Sequence, residues 1–124
     1  MDINITTLVS KIPDFDEFTK LADEIGVLLY EKLKLEKDIK AREATIVREV
    51  TTSPQYRLEN KVPTMSYIES TYRFSGLDGE LLPLRDSLAQ VISELERKKI
   101  TLSVYKDMIE VFRTISANQR TALS

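Results

Sequence analysis

The 124-residue sequence has no cysteine, no histidine and no tryptophan. Without cysteine there is no disulfide, no thiolate metal site and no thiol nucleophile. Without histidine the commonest general base and the commonest transition-metal ligand are missing, and a histidine-dependent triad is excluded. Only Gly26, Gly76 and Gly79 are glycines, and no GxxxxGK[ST] or GxGxxG phosphate loop can be drawn through them. No apolar run approaches the length of a membrane span. The start, Met1-Asp2-Ile3-Asn4, carries neither a basic flank nor an apolar signal core. These absences predict a protein that is not an enzyme and takes no cofactor or metal. They also predict one without a membrane partner, held in the cytoplasm, or in the host cytoplasm if the chain is viral.

The residues present follow helical spacing. A chain of this length defaults to a single domain with a modest core. Within residues 1–12, Ile5, Leu8, Val9 and Ile12 share one face of a short helix, which Pro13 closes. Asp14 opens the next segment, with Glu17 three residues on as an acidic capping box. From there Phe18, Leu21, Ile25, Leu28, Leu35, Ile39 and Ile46 recur at threes and fours, predicting one helix over 14–50. Such a helix, roughly 55 Å long at the standard rise, is long for a compact domain and suggests a coiled coil or an elongated oligomer.

Residues 51–63, framed by Pro54 and Pro63, read as a loop. Residues 64–74 read as a short helix, and Ser75–Gly79 as a turn. Over 79–115 the spacing is strongest: Leu81, Leu84, Leu88, Val91, Leu95, Lys98, Leu102, Tyr105, Ile109 and Phe112 keep one heptad phase. The phase continues through Arg97–Thr101, so a single helix is expected there rather than a loop. Residues 116–124 are polar and read as a frayed tail. The fold class is therefore all-α: an elongated helical hairpin or bundle with two long helices and coiled-coil-like seams, in an oligomer.

Three cations interrupt the seams: Lys32, Arg42 and Lys98. They either lie at the rim of the core with their stems buried or set register and partner number. The acidic cluster Asp14, Asp16 and Glu17 reads as capping and first-turn charge placement, with a carboxylate magnesium site as the rival reading. Tyr105, Met108, Ile109 and Phe112 form a broad apolar face suited to core or subunit interface. The residues expected to build the oligomer are Leu95, Leu102, Tyr105, Met108, Ile109 and Phe112.

Charge is unevenly distributed. Residues 1–31 hold two bases and seven acids, whereas residues 32–61 hold eight bases and five acids. The middle of the chain is a basic band on a net charge of −2. Lys34, Lys37, Lys40, Arg42, Arg48, Arg57 and Lys61 can neutralise phosphates, and Tyr56 can offer a stacking face, which suits single-stranded nucleic acid. The alternative is a solvated face laced with pairs such as Glu36–Lys40 and Asp38–Arg42.

The order of elements, a short apolar helix, a long helix basic in its second half, a polar loop, a short element and a long last helix, resembles the UvsY family of phage recombination mediators. Lys40-Ala41-Arg42-Glu43 is similar to the Lys-Ala-Arg-Leu element of that family's DNA-contacting region. Met65-Ser66-Tyr67-Ile68 resembles the start of its C-terminal half, and Leu95 through Phe112 resembles its last helix. The chain departs from the family in carrying Glu43 where the leucine stands and in lacking the Gly-rich basic stretch that follows. The resemblance implies a ring-like homo-oligomer assembled through the C-terminal helices. It implies single-stranded DNA on the basic band, with a RecA-type recombinase and single-strand-binding protein as partners. The competing class is a structural or adaptor coiled-coil protein, a virion scaffold component or secretion chaperone, that binds no nucleic acid.

Overall fold

A computed structural model describes residues 14–123. The short helix expected over 1–12 lies outside the described residues. The rest is all-α: helix α1 (Phe15–Thr52), helix α2 (Met65–Tyr72) and helix α3 (Leu82–Leu123), with 3-10 turns at Pro54–Tyr56 and Leu77–Gly79. None of these helices is long and apolar enough to cross a membrane.

The boundaries follow local chemistry. Asp14 Oδ1 accepts the Glu17 backbone N–H at 2.8 Å, so the acidic cluster caps α1 as its capping reading predicts. At the other end Thr51 and Thr52 do not turn the chain. Their hydroxyls donate back to the Val47 and Arg48 carbonyls, carrying α1 two residues past Val50. Pro54 forbids continuation, because it lacks an N–H and restricts Ser53 before it. Thr64 caps α2 by accepting the Tyr67 N–H.

The 51–63 segment contains a tight two-residue turn. Leu58 and Lys61 exchange both backbone hydrogen bonds at 2.9 Å, and Glu59 and Asn60 both have positive φ, the pattern of a type I′ turn. The Ser75–Gly79 turn is as expected. Helix α3 then runs unbroken through Arg97–Thr101, as the heptad phase predicts. It also continues to Leu123, past the position where the polar tail was expected to fray.

The described chain divides into two compact units. In the one comprising residues 29–93, Ile46, Val50, Ile68 and Leu81 are buried together, and Val47, Tyr56, Tyr72, Leu77 and Leu84 pack against them. Gly76 makes this packing possible. Its φ of 73° and ψ of −164° suit glycine almost alone, and a Cβ there would meet Leu81 Cγ at 2.8 Å. In the other unit, which joins residues up to 28 with those from 94 on, Leu21, Leu28 and Leu95 are buried. The Phe18 and Tyr105 rings meet edge to face at 5.6 Å, and Glu24 pairs with Lys98. Those pairings run antiparallel within that unit, as in a helical hairpin.

Every seam position on both long helices is buried or half-buried, apart from Arg42. The three seam cations all have acidic neighbours. Lys98 Nζ donates to Glu24 Oε2 at 2.7 Å, Arg42 Nη2 donates to Glu80 Oε2 at 2.5 Å, and Lys32 lies 4.0 Å from Glu36 on its own helix. Arg42 and Lys98 therefore tie α1 to residues far along the chain, each within its own unit.

Candidate nucleic-acid interface

The basic band lies on the second half of α1 and on the turn that follows. Tyr30, Lys34, Lys37, Ala41, Ala44 and Arg48 recur at fours and threes, which sets them in one line along a helix. All six are exposed, and none is a carboxylate. Lys40 borders the line on one side and Asp38 on the other. Among the described residues no carboxylate lies within salt-bridge distance of Lys34, Lys37, Lys40 or Arg48. The two i,i+4 pairs expected to quench this face do not form: Glu36 leans toward Lys32 and Arg42 toward Glu80.

Arg57 and Lys61 flank the two-residue turn, exposed and without an acidic partner among the described residues. All seven expected phosphate contacts are exposed, and six of them have no acidic partner among the described residues. The seventh, Arg42, is engaged. The hydrogen bond to Glu80 raises the guanidinium pKa above its ordinary range and lowers that of the Glu80 carboxyl. Its guanidinium is therefore a fold contact as well as an exposed cation, with 44% of the side chain's surface open to solvent. The reason is that Glu80, 38 residues away in sequence, is brought beside it.

Tyr56, the expected stacking ring, is also engaged within the fold. It is half-buried against the core of its unit, and its ring stands edge to face with Tyr72 at 6.3 Å. The exposed aromatic beside the cations is Tyr30, 68% exposed. It lines a shallow depression of about 400 Å³ with Leu33, Lys34, Lys37 and Asp38. Its spacing of four from Lys34 and seven from Lys37 sets it on their side of the helix, and that spacing is legible in the sequence.

The expected oligomerisation residues differ in exposure. Leu95 is 1% exposed within a single chain, so it is core and not subunit surface. Leu102, Tyr105, Met108, Ile109 and Phe112 are half-buried, and Tyr105 is covered in part by Phe18. The open apolar side chains of α3 in this unit are Ile100, Val104 and Val111, which share a different face because they lie four and seven residues apart.

Among the described residues no three acidic side chains gather where they could hold a metal ion. Comparison with known proteins found no matching family model, no matching curated protein and no matching solved structure.

Proposed function

We propose that this protein binds single-stranded DNA and acts as a recombination or repair mediator, helping a RecA-type recombinase displace single-strand-binding protein. One observation carries the reading. Lys34, Lys37 and Arg48 lie in an exposed line along α1 with no acid in it, Lys40 beside them and Tyr30 at its end. Free cations at helical spacing neutralise successive phosphates, and an exposed ring gives an unpaired base something to stack on. The resemblance to the UvsY family supports the same role.

A chain of net charge −2 gains from assembly, since each added copy brings its cationic line to one tethered strand. The homo-oligomer, a ring by the resemblance, is assigned to the open strip Ile100, Val104 and Val111 on α3, because Leu95 is buried within the chain and Leu102, Tyr105, Met108, Ile109 and Phe112 are less exposed than the strip. The same strip also favours a second reading, an assembly or adaptor protein that binds no nucleic acid.

Fluorescence anisotropy of a labelled single-stranded oligonucleotide separates the two. The mediator binds tightly at low salt and loses affinity steeply as salt rises. Replacing Lys37 with Ala lowers the salt slope by about 0.7 for the lost phosphate. The double variant Lys34→Glu with Lys37→Glu weakens binding further at unchanged helicity. Absence of binding at low salt, or a charge-reversed variant that binds like the parent, refutes the mediator and leaves the assembly protein.

A further inference from the structure

Helices α1 and α2 enclose a groove of about 360 Å³ beside the cationic line. Ile46 and Ile68, each 2% exposed, form its apolar floor together with Val47. Met65 and Tyr72 form a wall, and Ala44, one of the residues in the cationic line, stands at its edge. Two cations occupy the rim, Lys40 from α1 and Arg73 from just beyond α2. Neither has a carboxylate within salt-bridge distance among the described residues.

Two carboxylates also line the groove. Glu43 is neutralised by Arg85 at 2.7 Å. Glu69 has no such cation and remains an open acceptor. Burial raises the Tyr72 pKa, so its phenol keeps its proton and can donate.

The occupant that fits is flat and apolar on its faces, polar at its edge and tied to anionic groups. We infer that the groove between α1 and α2 is a subsite for one unpaired base of a single strand, with Lys40 and Arg73 holding phosphates on either side of it. Met65 supplies a polarisable contact for the base. The Glu69 carboxylate accepts from an exocyclic amine, the edge chemistry by which acidic side chains read bases. A duplex keeps its bases stacked and paired and cannot enter, so the subsite would make the protein selective for single strands. This inference rests on the DNA-binding reading and adds to it a contact that charge alone does not provide.

The test compares a single-stranded oligonucleotide with one of equal length and phosphate count whose bases are replaced by abasic linkers. Anisotropy is measured on the full chain at one salt concentration. The parent should bind the normal strand more tightly by on the order of tenfold, the scale of one base contact. Ala44→Trp, which fills the groove from an exposed helix position, should narrow that difference to what stacking on Tyr30 alone provides. It should leave the salt slope unchanged, since no charge is removed. Met65→Trp fills the groove from the other wall and takes its place if the first variant loses helicity. Equal binding of normal and abasic strands by the parent overturns the subsite, and stacking on Tyr30 with it, but leaves the cationic line intact. A filled groove that discriminates as strongly as the parent overturns the subsite alone. Failure to bind either strand at low salt overturns both the subsite and the reading beneath it.

Discussion

The three glycines should respond to alanine with three different outcomes, and Gly76 is the sharpest. Its backbone occupies a region that costs a non-glycine residue about 1 to 3 kcal/mol. A Cβ would also stand 2.8 Å from Leu81 Cγ, 2.9 Å from Glu80 Cγ and 3.3 Å from Ile46 Cδ1. Leu81 and Ile46 belong to the buried core, so they cannot yield freely, and overpacking of that kind adds about 1 to 3 kcal/mol. Gly76→Ala is therefore expected to cost about 2 to 6 kcal/mol, from the sum of the two effects. Gly79 also has positive φ, but its nearest neighbour would be Leu82 Cδ1 at 3.5 Å, an ordinary contact. Gly79→Ala should cost only the backbone strain, about 1 kcal/mol. Gly26 lies in exposed helix with nothing within 4 Å of an added Cβ, so Gly26→Ala should stabilise by up to about 1 kcal/mol. Urea unfolding followed by far-ultraviolet circular dichroism, at one protein concentration, reads all three. If Gly76→Ala unfolds within about 0.5 kcal/mol of the parent, the ordinary range for a surface substitution, the packing of Leu81 and Ile46 around this turn is wrong.

Arg85 should tolerate no substitution well. Its Nε donates to the Phe74 carbonyl at 2.6 Å and its Nη2 to Glu43 and the Arg73 carbonyl, with the guanidinium 5.0 Å from the Phe74 ring centroid. Arg85→Lys keeps the charge but cannot reproduce the fork, and it should cost about 2 to 3 kcal/mol in the same urea assay; a cost equal to a surface substitution would dismiss the hub. Stability should also depend on pH at both extremes and little between. Hydrogen bonding to Lys98 lowers the Glu24 pKa, and hydrogen bonding to Arg42 lowers that of Glu80. Their contributions are complete above the ordinary glutamate range and fade as pH falls through the lower folded values. Lys98 is raised by its bond to Glu24 and Tyr72 by burial. Those contributions are complete below the ordinary lysine and tyrosine values and fade as pH rises through the folded ones. With no histidine in the chain, urea midpoints should stay level from about pH 5 to pH 8, and a side-chain transition near neutrality would contradict this.

The periodic parts of the fold were legible because one physical quantity, the phase of apolar residues, reports both helix and buried face. Leu21, Leu28, Ile39, Ile46 and Leu95 all lie on expected seams and are all buried. The heptad phase also carried α3 correctly through Arg97–Thr101, where composition alone suggested a loop. The ends were less legible. Thr51 and Thr52 suit turns, yet their hydroxyls satisfy carbonyls of the preceding helical turn, and only Pro54 stops the helix. The Leu58–Lys61 turn went unseen because Glu59-Asn60 lacks the glycine that marks positive φ in a sequence.

The candidate site was legible in composition and not in geometry, and the reason is the range of the interactions that decide it. A local rule paired Asp38 with Arg42 at i,i+4, an interaction worth only about 0.2 to 0.5 kcal/mol on an exposed helix. Folding offered Arg42 a carboxylate at 2.5 Å from outside the helix, and that partner holds its guanidinium although the side chain stays exposed. Long-range packing likewise drew Tyr56 onto Tyr72, while Tyr30, with no aromatic partner among the described rings, stayed beside Lys34 and Lys37. Lys34, Lys37, Lys40 and Arg48 have no carboxylate within salt-bridge distance among the described residues, and that condition separates them from Arg42. The free set shares one stretch of one helix, so a strand lying along it meets its charges together. The charge-reversal variant at Lys34 and Lys37 is therefore a more decisive probe than one at Arg42, whose loss would also disturb the fold.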